Sequence, residues 1–289
     1  MFRNILYPFD GTAKCMLAIT QIMELAKRLG AQIRVLYVNE RAPYDKLLFE
    51  ELWTRLTEGL RDCYGVPVPV FALVEGNASE EILRYAKSNG VDLIAMPATD
   101  WNPFRRLFHR STTSFVVRNE TCPVWIVAEG DSELMRTPRI VCAVGEGRGS
   151  RTIVQNAESL ARRLQAQLTL AYAVPELNEG VLARMSQHPP FLSTVMARRY
   201  LHGLALSIDS QADCRAEVGT ESEVYLRVAK ETRSNLLILD RSLHAGVSNL
   251  SRVLRKMRCG TLFTDFTRKP LENISYTDIE SPKQLTFSS

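Results

Sequence analysis

Short apolar runs alternate with longer amphipathic stretches along most of this chain, a pattern that predicts strands and helices in turn and hence crossover units with a parallel sheet. In the first half the runs predict strands at Ile5–Phe9, Ile33–Val38, Val68–Leu73, Leu93–Met96 and Val124–Val127. Ala18, Ile22, Leu25, Ala26 and Leu29 recur at three- and four-residue spacing and give the first helix one apolar face. In the second half the strands fall at Ile140–Val144, Leu168–Tyr172, Arg215–Val218, Leu236–Leu239 and Thr261–Phe263. Asn77 with Glu80 forms a capping pair for a helix in the first half, and Thr220 with Glu223 forms a capping box in the second.

The two patterns are the same pattern twice. GNASEEILRYAK, beginning at Gly76, returns as GTESEVYLRVAK, beginning at Gly219. LGAQIRVLYV from Leu29 aligns with LQAQLTLAYA from Leu164, DLIAM from Asp92 with NLLIL from Asn235, and Cys122-Pro-Val with Cys259-Gly-Thr. The spacing between copies is 135 positions at Leu29, 143 at Gly76 and 137 at Cys122, so the second copy gained eight residues before Gly219 and lost six after it. A tandem of two like domains follows, at 1–130 and 138–267, with a linker at Glu129–Pro138, a surface loop around Asn178–Pro190 and a polar tail at 268–289.

Composition narrows the class. With 45% hydrophobic and 24% charged residues over 289 positions, the chain has enough apolar material for two cores. A net charge of +4, with basic and acidic residues interspersed, gives no nucleic-acid footprint. No apolar run reaches the ~18 residues that span a bilayer, and the segment after Met1 lacks the pattern of a secretory signal, so a cytoplasmic protein is expected. The six cysteines are far apart with no C-x-x-C, as reduced core residues would be.

ILYPFDGTAKCMLAITQIMELAKRLGAQIRVLYV, GNASEEILRYAKSNGVDLIAM and TCPVWIV resemble the first strand and helix, the third helix with the fourth strand, and the last strand of universal stress protein domains. The resemblance covers nearly the whole chain in two copies. It implies two tandem doubly wound α/β domains, Rossmann-like, each with a five-stranded parallel sheet, paired through their last strands, TCPVWIV and CGTLF, as an intramolecular version of a dimer. In nucleotide-binding members of that family the fourth strand runs into a Gly-x-x-Gly, nine residues, Gly-Ser or Gly-Thr loop, whose glycines let backbone amides approach phosphates. The matching positions here are Pro97, Asp100, Arg110 and Ser111, followed by Thr112, and only the serine fits.

Each departure weakens a phosphate site. Pro97 has no N–H to donate. Asp100 brings a carboxylate toward the phosphates, and like unit charges at ~4 Å repel by about 4 kcal/mol at an effective dielectric near 20. Arg110 adds a Cβ where a glycine would turn left-handed. In the second copy the interval matching Pro97 to Ser111 shrinks to that between Asp240 and Ser248, and Gly145 stands in place of Asp10. What persists is the end matching the family's adenine and ribose contacts: Pro8, Phe9, Asp10, Val38 and Met96. Asp10 has a plainer role open to it, capping the first helix or turning the chain before Gly11, and Ser111, Thr112 and Thr113 can hold an anion or simply cap a helix.

Other candidates read as structural. Arg105, Arg106, His109 and Arg110 form a solvated basic face, His188, His202 and His244 have no companions at metal-ligand spacing, and Trp53, Trp101 and Trp125 are packing residues, with Trp101 placed to fill vacated phosphate space. No nucleophile elbow, P-loop or dinucleotide fingerprint is present. The expectation is therefore a non-enzymatic, cytoplasmic stress-response protein with a regulatory or interaction role, a protein partner, and no cofactor, metal or ATP. Its domains pair within the chain, which also leaves a homodimer open, and neither nucleic acid nor membrane is a partner. The alternative is a small-molecule sensor that binds an adenine nucleotide such as ATP, or another anion, weakly in the first domain.

Overall fold

The computed structural model describes residues 2–40, 51, 53, 54, 57, 58, 70–98, 112–119, 122–128, 136–147, 149–176, 193–240 and 259–264. The strands of the first half are β1 (Asn4–Phe9), β2 (Gln32–Asn39), β3 (Val70–Glu75), β4 (Leu93–Pro97) and β5 (Val124–Val127). Those of the second are β6 (Arg139–Ala143), β7 (Gln167–Val174), β8 (Asp213–Val218), β9 (Leu236–Asp240) and β10 (Gly260–Thr264). Between them run α1 (Ala13–Leu29), α2 (Ala78–Ser88), α3 (Thr112–Asn119), α4 (Ser150–Leu164), α5 (Thr194–Leu206) and α6 (Glu221–Glu231).

All ten strands join in one sheet of order β3-β2-β1-β4-β5-β10-β9-β6-β7-β8. Each half repeats the same doubly wound order, and within each half every pairing is parallel. The halves meet through one antiparallel pair, in which Thr261, Leu262 and Phe263 face Ile126, Trp125 and Val124. Each half holds the five-stranded parallel sheet that the sequence anticipates, and the pairing of β5 with β10 makes the two one continuous sheet. The reason is the burial of the joining strands: every residue of β5 and β10 is buried, so an open edge there would leave ladder N–H and C=O groups without partners.

Apolar clusters cover both faces of the sheet and run through both halves. On one side α1 and α4 press Ile19, Ile22, Leu25, Ile153, Ala157 and Leu160 onto the strands. On the other, α2, α3 and α6 contribute Ile82, Val116, Val117, Val224 and Val228. At the seam a small apolar cavity of about 10 Å³ remains between Leu25, Leu160, Trp125 and Leu262, and the Trp125 indole N–H has no hydrogen-bond partner. None of the five described cysteines is in a disulfide; Cys63 lies outside the described residues.

Local signals hold apart from shifts of one or two residues at strand ends, and two differences bear on the argument. Asn77 accepts the amides of Ser79 and Glu80, as a helix cap does. Thr220, by contrast, donates its hydroxyl to the Glu223 carboxylate at 2.7 Å and makes no side-chain bond to the backbone, so the capping box closes between side chains. The second difference is that Pro97 belongs to β4, where the sequence places the strand's end at Met96. Residues 129–135 of the expected linker, the loop at 178–190 and the tail at 268–289 lie outside the described residues. No helix among the described residues is long and apolar enough to cross a membrane.

Candidate functional site

In a doubly wound sheet the ligand crevice lies beyond the carboxyl ends of the strands where the winding reverses. In the first half that point is between β1 and β4, whose registered pairing is confined to Ile5 with Leu93 and Leu6 with Ile94. Asp10 follows the last residue of β1, is exposed, and accepts both the amide (2.9 Å) and the hydroxyl (2.7 Å) of Thr12 on Oδ1. Between them Gly11 takes φ 78°, which the tight turn requires. Thr12, and not Asp10, is the residue that caps α1, accepting the Cys15 amide at 3.4 Å. Asp10 therefore turns the chain.

The turn sets the electrostatics of its neighbours. Burial alone raises the Asp10 pKa, but hydrogen bonds from the Cys15 thiol and from the hydroxyl and amide of Thr12 outweigh it and hold the carboxyl below its ordinary value. Cys15 shifts the other way: burial, then its bond to Asp10, push its thiol up to about 11. Tyr7, fully buried in β1, donates its hydroxyl to the Cys15 carbonyl at 2.6 Å, and burial raises its pKa in turn. The site thus holds an anion at Asp10 and an inert, protonated thiol at Cys15. Sequence reading missed the Tyr7–Cys15–Asp10 chain; the spacing of Tyr7 and Cys15 across a strand–turn–helix was its one signal.

The other expected residues divide between the faces. Leu6, Leu36 and Met96 sit in the cluster beneath α3, and Val38 packs against it. Phe9 lies in the opposite cluster, under α1. By strand alternation Pro8, which is buried, shares the face of Leu6, so Pro8, Val38 and Met96 form one wall and Phe9 is not part of it. Thr112 opens α3 and is half-buried, and the next residue, Thr113, is 2% exposed with its hydroxyl unpartnered. Asp100, Arg110 and Ser111, with Trp101 and the basic group at 105–110, lie outside the described residues.

Pro97 has a geometry that its sequence position alone does not convey. Successive residues of a strand point their amides to opposite neighbours. Ala98 donates to Val127 of β5 at 2.9 Å, so position 97 aims at the β1 side, into the crevice. A proline is tolerated there because the ladder needs no donor, and for the same reason the crevice has none from this residue.

The second crevice, between β6 and β9, is filled from within. Asp240, at the end of β9, is 6% exposed, and its Oδ2 would stand 3.5 Å from a β-carbon placed on Gly149, the N-cap of α4. That helix has no side-chain cap of its own, so a buried carboxylate stands at its positive end. The Gly145 carbonyl, where the first half has Asp10, accepts Ser150 Oγ at 2.6 Å and Tyr200 Oη at 3.3 Å. Among the described residues no group of three or more His, Cys, Asp and Glu side chains could hold a metal ion. Ser248 lies outside the described residues.

Comparison with known proteins agrees with this architecture. The model of the universal stress protein family matches residues 1–128. A universal stress protein of Methanocaldococcus jannaschii is 25% identical over 147 residues, covering 46% of this chain and 86% of the relative. One from Thermus aquaticus is 29% identical over 136 residues, 44% of this chain and 99% of the relative. The crystal structure of a universal stress protein from Archaeoglobus fulgidus superposes with a TM-score of 0.70 over 91% of this chain and 96% of its own, at 14% identity, which shows a shared fold across both halves. Residues 1–128 thus resemble the universal stress protein family in sequence, and the fold of its members extends through both halves of this chain.

Proposed function

We propose that this is a cytoplasmic stress-response protein that works by interaction with a protein partner, without catalysis and without tight binding of ATP. The similarity of residues 1–128 to the universal stress protein family supports the stress-response role. The observation that carries the rest is the orientation of Pro97: this last position of β4, which strand alternation aims at the first crevice, has no proton to donate to a phosphate. Asp240, buried against α4 in the second crevice, supports the same reading for the other half. The β5–β10 pair supports reading the two halves as domains, 1–130 and 138–267, joined as an intramolecular dimer, since tethering makes that association unimolecular.

A second reading, a sensor for an adenine nucleotide or another anion in the first half, rests on Thr113. Its buried hydroxyl has no partner at the start of α3, where an anion would satisfy it. Thermal unfolding with a panel of nucleotides separates the two readings. A ligand at 100 times its dissociation constant adds about 2.7 kcal/mol, so a specific nucleotide shifts the midpoint and the interaction protein shows no shift.

A further inference from the structure

Away from both crevices, at the amino-terminal edge of β6, β7 and β8, lies an open pocket of about 500 Å³ lined by Arg139, Gln165, Gln167, Thr169 and Gln211 among others. That volume is in the range of small-molecule sites. The internal repeat explains why it is open. In the first half Asn4 pairs with Gln32 and Leu6 with Arg34; in the second, Arg139 pairs with Gln167 and Val141 with Thr169, so Asn4 and Arg34 stand where the second half has Arg139 and Thr169. Arg34 donates from Nε to Asn4 Oδ1 at 2.9 Å, and Asn4 Nδ2 donates to the carbonyls of Asn89 and Gly90. The second half exchanges the long side chain for a threonine, which leaves room, and the amide for a guanidinium.

That guanidinium is uncommitted. Among the described residues no hydrogen bond or ion pair engages the Arg139 side chain, whereas the other charges of the pocket are engaged. Glu158 holds Arg162 at 2.6 Å and accepts Ser210 Oγ, Arg162 also donates to the Asp209 carbonyl, and Asp213 holds Arg215. Gln165 adds a second unusual feature. It occupies the left-handed conformation at the end of α4, φ 55°, where the equivalent residue of α1 is Gly30, φ 66°. A side chain is thus kept on the pocket wall at a position that favours glycine.

We propose that this pocket binds a small carboxylate of amino-acid or hydroxy-acid type, its carboxylate on Arg139 and its N–H or O–H groups on the amides of Gln165, Gln167 and Gln211. The planar fork of arginine matches a carboxylate in two parallel hydrogen bonds, and carboxamides accept from the ligand's donors as readily as they donate.

The test is titration calorimetry on the whole chain with glycine, L-serine, L-aspartate, L-lactate and inorganic phosphate, each to about 10 mM. At least one carboxylate should bind at one site per chain and more tightly than phosphate, and Arg139→Gln should weaken it by roughly tenfold or more. The pair Arg139→Asn with Thr169→Arg rebuilds the first half's closure and should abolish binding. No binding by any of the four acids, tighter binding of phosphate, or undiminished binding in folded Arg139→Gln overturns the proposal. Arg139→Gln alone decides if the double variant does not fold.

Discussion

Pro97 stands opposite Val127 in the β4–β5 ladder, and the Val127 carbonyl takes its hydrogen bond from Ala98, so the nitrogen of Pro97 faces the crevice. A glycine there would aim a donor at a phosphate. With Asp100→Gly removing a repulsion and Arg110→Gly freeing the backbone, the triple variant with Pro97→Gly should gain roughly 2–4 kcal/mol of nucleotide affinity by calorimetry. The corresponding changes at Asp240 and Val247 should gain nothing, because the second loop is six residues shorter. A folded triple variant that binds like the wild type would show that the crevice is closed by something else.

Gly76 and Gly219 occupy the same place in the two copies, with φ of 142° and 146°. A β-carbon at Gly76 would come within 2.9 Å of Glu81 Oε1, and one at Gly219 within 3.3 Å of Val224 Cγ2. Gly76→Ala and Gly219→Ala should each cost roughly 1–3 kcal/mol in denaturant unfolding, most of it backbone strain.

Leu262 faces Trp125 across the seam and is 4% exposed. Leu262→Ala should cost about 2–5 kcal/mol, the range for a buried leucine beside an existing void. Unfolding followed by Trp fluorescence and by circular dichroism should shift together, since the sheet is continuous through this pair.

The alkaline limb of stability should trace in part to the thiols of Cys15 and Cys214, alongside the Cys142 thiol and the phenols of Tyr7 and Tyr225, which burial also raises. Burial raises Cys15 and Cys214 from an ordinary value of 9.0 to about 11 each. A raised folded pKa favours the protonated form in the native state, so its contribution is complete below pH ~9 and is lost as pH rises toward ~11. Each group steepens the fall by about 1.4 kcal/mol per pH unit in that window. Cys15→Ala with Cys214→Ala should flatten the limb; an unchanged slope would assign it to other groups. Asp10 acts at the other end. Its lowered pKa gives stability that is present above the unfolded value near 3.8 and lost as pH falls through the folded one, so Asp10→Asn should differ from wild type least in strong acid.

Most of the fold was legible because it is written in local signals. The buried face of α1, the alternation of strands and the repeated glycine-led helix start are all properties of neighbouring residues. The union of the sheets was legible only through the family resemblance, which makes the last strands the pairing edges; Trp125 and Leu262 lie far apart in sequence and no local pattern specifies their register. The site was legible by position and less so by role. Asp-Gly-Thr marked a turn, yet whether Asp10 or Thr12 capped α1 depended on a two-residue difference in where the helix began. Phe9 shared a motif with Pro8 but points to the opposite face, as strand alternation requires. Asp240 looked like the relic of a lost loop, and its burial against Gly149 needed the packed structure to be seen.

Calorimetric titration of the full chain with ATP, after removal of any bound nucleotide, decides whether the first crevice is a nucleotide site. Binding should be no tighter than about millimolar, a free energy near −4 kcal/mol. A micromolar dissociation constant, or ATP retained through purification at close to one equivalent, would contradict it and establish the sensor reading instead.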